Sequence, residues 1–223
     1  MLSYKKSKQQ KIKMLSYFRK SCFQKEFCNQ FYSKSFCYKA NFNKSFFRDV
    51  NFKGAILTSC CFKNSKFINV EFLGTNLKGS NFTNSTFQDC VFSAALLKKV
   101  NFKNCSFKKC IFICTNLTHT KNFPVLDSSN EILLQHPSIP ELIPSLKSIL
   151  DAYKRNKILA CSRTLFLKNG SLNSITMKYL LSRLSQENLL LGLRKLSVEE
   201  LRINQVATAS LFYQLIVKTL KSQ

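Results

Sequence analysis

A period of five residues dominates the sequence between Ala40 and His119. A large apolar residue, always Phe or Leu, occupies sixteen consecutive positions of this repeat: Phe42, Phe47, Phe52, Leu57, Phe62, Phe67, Phe72, Leu77, Phe82, Phe87, Phe92, Leu97, Phe102, Phe107, Phe112 and Leu117. The residue two positions before each of them is small or β-branched, as in Ala40, Ser45, Val50 and Cys60. We refer to these two positions as the bulky slot and the small slot, and to the other three as outward slots.

A period of five fits neither regular element. A helix would distribute the bulky slots around its circumference, and a strand would place them alternately on its two faces. If each unit is instead a short extended piece followed by a bend, four units close a square coil with the bulky and small slots inside. A second period of twenty supports this interpretation, because Leu rather than Phe recurs at Leu57, Leu77, Leu97 and Leu117.

The units "ANFNK" (40–44), "VNFKG" (50–54), "SNFTN" (80–84) and "TNLTH" (115–119) resemble the pentapeptide-repeat family. The resemblance covers 40–119, with a degraded lead-in from about Tyr17. It implies a right-handed quadrilateral β-helix of four or five coils, spaced by roughly 4.8 Å, the ordinary strand separation. In such a coil the spacing of Asn64, Asn84 and Asn104 predicts an outward amide ladder.

We therefore predict a mainly β protein with a small C-terminal α-helical region. The expected organisation is a basic N-terminal segment (1–16), the β-helix (17–123, regular over 40–119), a Pro-containing linker (124–145) and an α-helical region (146–223). Apolar residues at helical spacing predict three or four short helices there, and Ser197 to Glu200 reads as a capping box. We expect the N-terminal segment to cap one end of the β-helix and the helices to cap the last coil, since open ends are exposed edges.

Four apolar residues occupy outward slots of the later coils: Val91, Leu96, Ile111 and Ile113. We expect the C-terminal helices to dock on them. The alternative is a binding site for a partner protein.

The net charge of +24 favours an acidic partner, which could be a protein, an anionic lipid or a nucleic acid. The candidate partner-binding residues are lysines in outward slots: Lys53, Lys63, Lys78, Lys98, Lys99, Lys103, Lys108 and Lys109. Alternatively, these lysines form only a solvated surface. Base stacking is not expected, because the repeat should turn its aromatic rings inward.

The sequence indicates a protein that is not an enzyme, with no catalytic, cofactor-binding or metal-binding residues and no small-molecule substrate. Asp49, Glu71 and Asp89 are the only acids between Ala40 and His119, and we assign each to a different outward slot, so a catalytic carboxylate pair is not predicted. Cys60, Cys90, Cys105 and Cys110 fall in small slots, which indicates buried thiols. That use of cysteine favours the cytoplasm or another reducing compartment, with an organelle or translocation into a host cell as alternatives. No apolar run is long enough to span a membrane.

The predicted function is a scaffold or binding module acting through its lysine-rich faces and the helical tail. One alternative, drawn from the family resemblance, is a secreted bacterial effector acting on a host protein. Another is protection of DNA gyrase, but family members with that role are understood to imitate the negative charge of DNA. The charge of +13 carried by residues 16–123 argues against it.

Overall fold

The computed structural model describes residues 14–221, without the side chain of Glu200. It is a parallel β-solenoid of about six turns followed by C-terminal helices, which confirms the predicted fold class. The turns outnumber the four or five coils that we predicted, because the solenoid continues beyond the regular repeat at both ends. The predicted N-terminal cap falls largely outside the described residues.

The solenoid is built from short parallel strands, each paired with the strand one turn away. Their bounds are β1 (Ser16–Phe18), β2 (Glu26–Phe31), β3 (Phe36–Tyr38), β4 (Phe46–Asn51), β5 (Ile56–Thr58), β6 (Lys66–Ile68), β7 (Glu71–Leu73), β8 (Thr86–Gln88), β9 (Val91–Ser93), β10 (Ser106–Lys108), β11 (Ile111–Ile113) and β12 (Glu131–Leu133). Partners are twenty residues apart throughout, for example Phe47 with Phe67 and Phe72 with Phe92.

Each turn has four faces, which we number by the bulky slot at their centre. Face 1 is centred on Tyr17, Cys37, Leu57, Leu77, Leu97 and Leu117; face 2 on Cys22, Phe42, Phe62, Phe82 and Phe102; face 3 on Phe27, Phe47, Phe67, Phe87 and Phe107; and face 4 on Tyr32, Phe52, Phe72, Phe92 and Phe112.

Stacked aromatic rings fill the interior of faces 2, 3 and 4. The ring centroids of Phe62 and Phe82 are 4.8 Å apart and nearly parallel, and those of Phe82 and Phe102 are 5.6 Å apart. Rings of neighbouring columns meet edge to face, as Phe62 and Phe67 do at 5.9 Å. Both arrangements are favoured for aromatic pairs, so each fully buried ring supports those above and beside it.

The small slots contain hydroxyls because a buried hydroxyl finds two partners there. Ser65 Oγ donates to the Phe42 carbonyl (2.9 Å) and accepts from the Ser45 backbone N–H (3.1 Å). Ser85 repeats the pattern one turn later. The predicted thiols Cys60, Cys90, Cys105 and Cys110 are free and buried in the same slots.

The corners use left-handed backbone at every fifth residue from Arg19 to Cys114, with φ between +48° and +70°. This conformation costs most residues about 1–2 kcal/mol, but glycine and asparagine adopt it readily. At one corner Asn84 Nδ2 donates to Asn64 Oδ1 (3.2 Å) and Asn104 Nδ2 to Asn84 Oδ1 (3.1 Å). The predicted amide ladder is therefore confirmed.

Phe123 closes the C-terminal end of the aromatic core. Its ring lies 5.4–5.5 Å from those of Phe102, Phe107 and Phe112. The chain then returns to the solenoid as β12, which pairs in parallel with β11. The segment 124–145 is therefore not only a linker, because it adds a last rung to face 4.

The helical tail comprises Pro144–Lys221. Its α-helices are α1 (Pro144–Tyr153), α2 (Lys157–Ser162), α3 (Ser174–Leu181), α4 (Gln186–Lys195) and α5 (Ala209–Lys221), with 3₁₀ helices at Val198–Glu200 and Ile203–Val206. Asn156, Asn173 and Ser185 cap α2, α3 and α4. The predicted capping box is wrong, since Ser197 precedes a 3₁₀ helix of three residues and its side chain makes no capping hydrogen bond.

The tail has its own apolar core, formed by buried residues such as Leu146, Leu159, Met177, Leu193 and Phe212. Among residues 14–221, no helix combines the length and apolar character needed to cross a membrane.

Candidate functional site

The helical tail packs along face 4, at the level of the first three turns. Phe31, at the end of β2, is buried against Ile203, Ala207 and Leu211. The backbone N–H of Phe31 also donates to Asn204 Oδ1 (3.2 Å). The expectation that the helices cap the last coil is wrong, because Phe123 occupies that end and the tail lies along the side of the solenoid.

Glu71, on face 4, joins the solenoid to the start of α5. Its Oε2 accepts from Asn51 Nδ2 and its Oε1 from the backbone N–H of Ala209, both at 2.8 Å. Asn51 Nδ2 also donates to the Ala207 carbonyl (2.8 Å). Burial raises the pKa of Glu71 to about 7, and the hydrogen bond from Ala209 opposes part of that rise. The Glu71 side chain thereby satisfies one of the orphan N–H groups at the start of α5.

Lys53 makes the opposite contact with the end of α2. Its Nζ donates to the Cys161 carbonyl (2.9 Å) and lies 5.8 Å from the centre of the Phe31 ring. Burial, with a smaller contribution from Arg163, lowers the pKa of Lys53 to about 8. Face 4 thus offers a hydrogen-bond acceptor to the first turn of one helix and a donor to the last turn of another.

Asp49 lies at the corner between faces 3 and 4 and is only 3% exposed. Its Oδ1 has no hydrogen-bond partner. Burial raises its pKa, partly opposed by the neighbouring Ser210 and Asn69 side chains. We predicted that the repeat acids Asp49 and Glu71 face solvent. That prediction is wrong, because the tail covers both side chains. Asp49 and Asp89 also share one corner position, two turns apart, so their assignment to different slots was wrong.

A cleft of about 390 Å³ separates the tail from the later turns of face 4. Its floor includes Leu73, Val91 and Ile111, and α3 contributes Ile175 and Tyr179. Lys178 of α3 forms an ion pair with Glu131 of β12 across the cleft. The tail therefore contacts the solenoid both at the first three turns and at β12.

The four predicted docking residues separate in the structure. Val91 and Ile111 line the cleft, and Ile113 is fully buried on face 4. Leu96 belongs to face 1, where it is 58% exposed. The docking contacts are made instead by Phe31, Asn51, Lys53 and Glu71. The one signal in the sequence that could have indicated them is Glu71, an acid within a basic repeat.

The eight predicted lysines also separate. Lys53 is half-buried against the tail, so its assignment to a free lysine surface is wrong. The other seven are exposed, with Lys78, Lys98 and Lys99 on face 1, Lys63 and Lys103 on face 2, and Lys108 and Lys109 on face 3.

Faces 1 and 2 together form an acid-free half of the solenoid. Their units contain no Asp or Glu from Leu15 to Phe123. They carry ten exposed basic residues: Arg19, Lys20, Lys39, Lys44, Lys63, Lys78, Lys98, Lys99, Lys103 and Lys121. All four acids of the described turns before Asp127 lie on faces 3 and 4. The folding of the repeat therefore concentrates a charge that is dispersed in the sequence.

The inward orientation predicted for the aromatic residues fails in the first two turns. Phe18 and Phe36 on face 1 and Phe23 on face 2 are exposed. The reason is that they occupy outward slots next to the bulky slots filled by Tyr17, Cys37 and Cys22. An outward-slot side chain leaves the core whatever its type.

Two family models match the sequence. The model for pentapeptide repeats (8 copies) matches residues 37–67, and the model for the SV2A/B/C luminal domain matches residues 61–130. No curated protein sequence matches this chain.

Solved structures of pentapeptide-repeat proteins are similar over about half of the chain. The protein Rfr23 of the cyanobacterium Cyanothece 51142 is 16% identical, over 53% of this chain and 88% of that one, with a TM-score of 0.35. A protein of the Arabidopsis thaliana thylakoid lumen is 21% identical, over 46% and 70%, with a TM-score of 0.23. QnrB1, a plasmid-mediated fluoroquinolone resistance protein, is 7% identical, over 53% and 90%, with a TM-score of 0.25.

The fold defines the class of the protein as a parallel β-solenoid. The five-residue period and the stacked interior are those of a pentapeptide-repeat β-helix, and the family model for these repeats matches residues 37–67 of the solenoid. Among residues 14–221, no group of three or more His, Cys, Asp or Glu side chains converges as a metal site.

Proposed function

We propose that this protein is a non-catalytic binding protein that recognises an acidic macromolecule through the acid-free half of its solenoid. The observation that carries the proposal is the segregation of charge. Ten exposed basic residues share faces 1 and 2 with no acid, while Asp49 and Glu71 are buried under the tail. A surface of one sign attracts partners of the other and speeds their association.

The rigidity of the solenoid supports this role. Backbone hydrogen bonds and stacked Phe rings fix each turn on the next, so the lysines keep fixed spacings along the rod. Lys78 and Lys98 occupy the same slot one turn apart. A backbone that is already rigid has little conformational entropy to lose on binding.

Heparin, a soluble polyanion, tests the charge segregation. We expect the triple variant Lys78→Gln, Lys98→Gln, Lys99→Gln on face 1 to elute from immobilised heparin at a clearly lower salt concentration than the wild-type protein. The matched control removes the same charge from face 3 through Lys66→Gln, Lys108→Gln, Lys109→Gln. Electrostatic binding weakens with salt, so the elution position measures the contribution of each face. Equal shifts for the two triple variants would contradict the proposal.

A further inference from the structure

Face 1 displays large apolar side chains in addition to cations. Phe36, Ile56 and Leu96 lie in the outward slot directly before the bulky slot, and Asn76 occupies the same slot on the turn between Ile56 and Leu96. The three apolar side chains are 48%, 40% and 58% exposed. Phe18, in the outward slot directly after the bulky slot of the first turn, is 65% exposed. Side chains in one slot form a row along the rod, so face 1 has a solvent-exposed apolar row.

A row of cations runs beside the apolar row. Lys78 and Lys98 lie in the outward slot directly after the bulky slot, in line with Phe18 and Tyr38 of earlier turns. The next residue of each unit, at the corner, adds Arg19, Lys39 and Lys99. The two rows share one flat face, whose strands β1, β3 and β5 are parallel and in register. Six rungs at the usual strand separation make this face roughly 25 Å long.

Two kinds of acidic partner fit a surface of cations and rings, namely a nucleic acid and an anionic membrane. Single-stranded nucleic acids stack their bases on free aromatic faces. Here Phe18 and Tyr38 stack on each other at 5.6 Å, and Arg19 and Lys39 lie over them at 5.4 and 5.3 Å. The faces of these two rings are therefore not free to stack with a base, although Phe18 remains 65% exposed.

The aliphatic members of the row also favour a membrane. Ile56 and Leu96 have no π-face to offer a base. A bilayer interface instead accepts Phe, Ile and Leu alike among the acyl chains, while neighbouring Lys and Arg contact lipid phosphates.

We infer that face 1 is a peripheral docking surface for anionic lipid bilayers, with Phe18, Phe36, Ile56 and Leu96 entering the interface and the neighbouring cations binding lipid phosphates. This inference rests on the proposed function, since it names the acidic partner. It requires no spanning segment, because the rod lies flat on the lipid surface.

Vesicle sedimentation with the full chain tests the inference. We expect the wild-type protein to sediment with vesicles that contain phosphatidylserine, less so as salt rises, and not with vesicles of phosphatidylcholine alone. The variant Phe36→Ser, Ile56→Ser, Leu96→Ser should lose affinity by about tenfold or more, because it removes the apolar area that enters the interface. The control variant Val125→Ser, Leu134→Ser, Leu191→Ser removes three exposed apolar side chains outside face 1 and should bind like the wild type.

Fluorescence provides a second readout, since the chain contains no tryptophan. On vesicles with phosphatidylserine, the emission of the Phe36→Trp variant should move to shorter wavelength and be quenched by brominated acyl chains. The Gln88→Trp variant, with an exposed site on face 3, should show neither effect. Emission that is identical for the two variants would overturn the inference.

The heparin experiment separates the possible failures. If the face 1 lysines control heparin elution but vesicles with phosphatidylserine are not bound, the lipid inference fails and the proposed function stands. If single-stranded poly(U) binds and the triple Ser variant loses that binding, a nucleic acid replaces the membrane as partner and the inference is overturned. If the heparin asymmetry is also absent, the proposed function fails as well.

Discussion

The solenoid and the helical tail are stabilised in different ways. In the solenoid the interior side chains stack in columns, turn upon turn, as Phe47, Phe67 and Phe87 do at 4.8 Å. The tail has a separate apolar core and is fixed to face 4 by a few individual contacts from Phe31, Asn51, Lys53 and Glu71. Substitutions inside the stack should therefore destabilise the rod, whereas substitutions on face 4 should release the tail and leave the rod folded.

The largest effect is expected inside the stack. Phe82→Ala should lower the free energy of unfolding by about 3–5 kcal/mol, because it leaves a cavity between Phe62 and Phe102 that rigid neighbours cannot fill. Chemical denaturation measures the loss. A loss below about 1 kcal/mol would show that the stack relaxes around the cavity as a mobile core does, and the contrast between the two regions would disappear.

A dependence on pH should distinguish the docked tail from the rod. The pKa of Glu71 is about 7 in the folded protein and has an ordinary value of 4.5. A raised pKa means that the folded state binds the proton more tightly. The stability from this group is thus fully present below about pH 4.5 and is lost as the pH rises to about 7.

Hydrogen exchange at the amides of α5, measured between pH 4.5 and 8 and corrected for intrinsic rates, should report weaker protection at the higher pH. The burial of Asp49 acts in the same direction. Glu71→Gln cannot ionise and should show a flatter pH dependence than the wild type. An unchanged dependence in that variant would assign the effect to another group.

Truncation of the same residue should have a smaller but clear effect. Glu71→Ala leaves the Ala209 N–H and one Asn51 amide hydrogen without their acceptor, at a cost of about 1–3 kcal/mol. Exchange in α5 should accelerate while exchange in β6 and β8, on face 3, stays slow. If both regions accelerate together, tail and rod unfold as one unit.

The smallest effects compare two lysines in equivalent outward slots. Lys53→Ala removes the donor to the Cys161 carbonyl and should weaken tail docking by about 1 kcal/mol. Lys103→Ala, on face 2, should change stability by less than about 0.5 kcal/mol, because that side chain is exposed. Thermal unfolding of both variants measures the difference, and equal shifts would contradict the assignment of Lys53 to the interface.

The interior of the rod was predictable because one rule repeats. The bulky slots predicted the stacked columns, and Asn64, Asn84 and Asn104 predicted their amide ladder. The first turn was harder to recognise, because Lys25 and Gln30 occupy its small slots, yet it keeps the same corners. The closure at Phe123 was missed for a different reason, since that ring is one residue out of step with the repeat.

The contacts between rod and tail were not predictable in the same way. Lys53 and Lys103 look alike in the sequence, and only the position of α2 buries one of them. Val91, Leu96, Ile111 and Ile113 look like one apolar set, but the corner after residue 94 sends Leu96 to another face. An outward slot specifies that a side chain leaves the core, not what it meets.

The sequence by itself determined the solenoid, its four columns and the inward residues, since a five-residue period admits only one way to bury every bulky and small slot together. The tertiary structure decided which outward residues the tail covers, among them Asp49, Lys53 and Glu71, and which remain exposed. Those outcomes depend on contacts between residues more than one hundred positions apart, such as Glu71 with Ala209, and no local pattern encodes them.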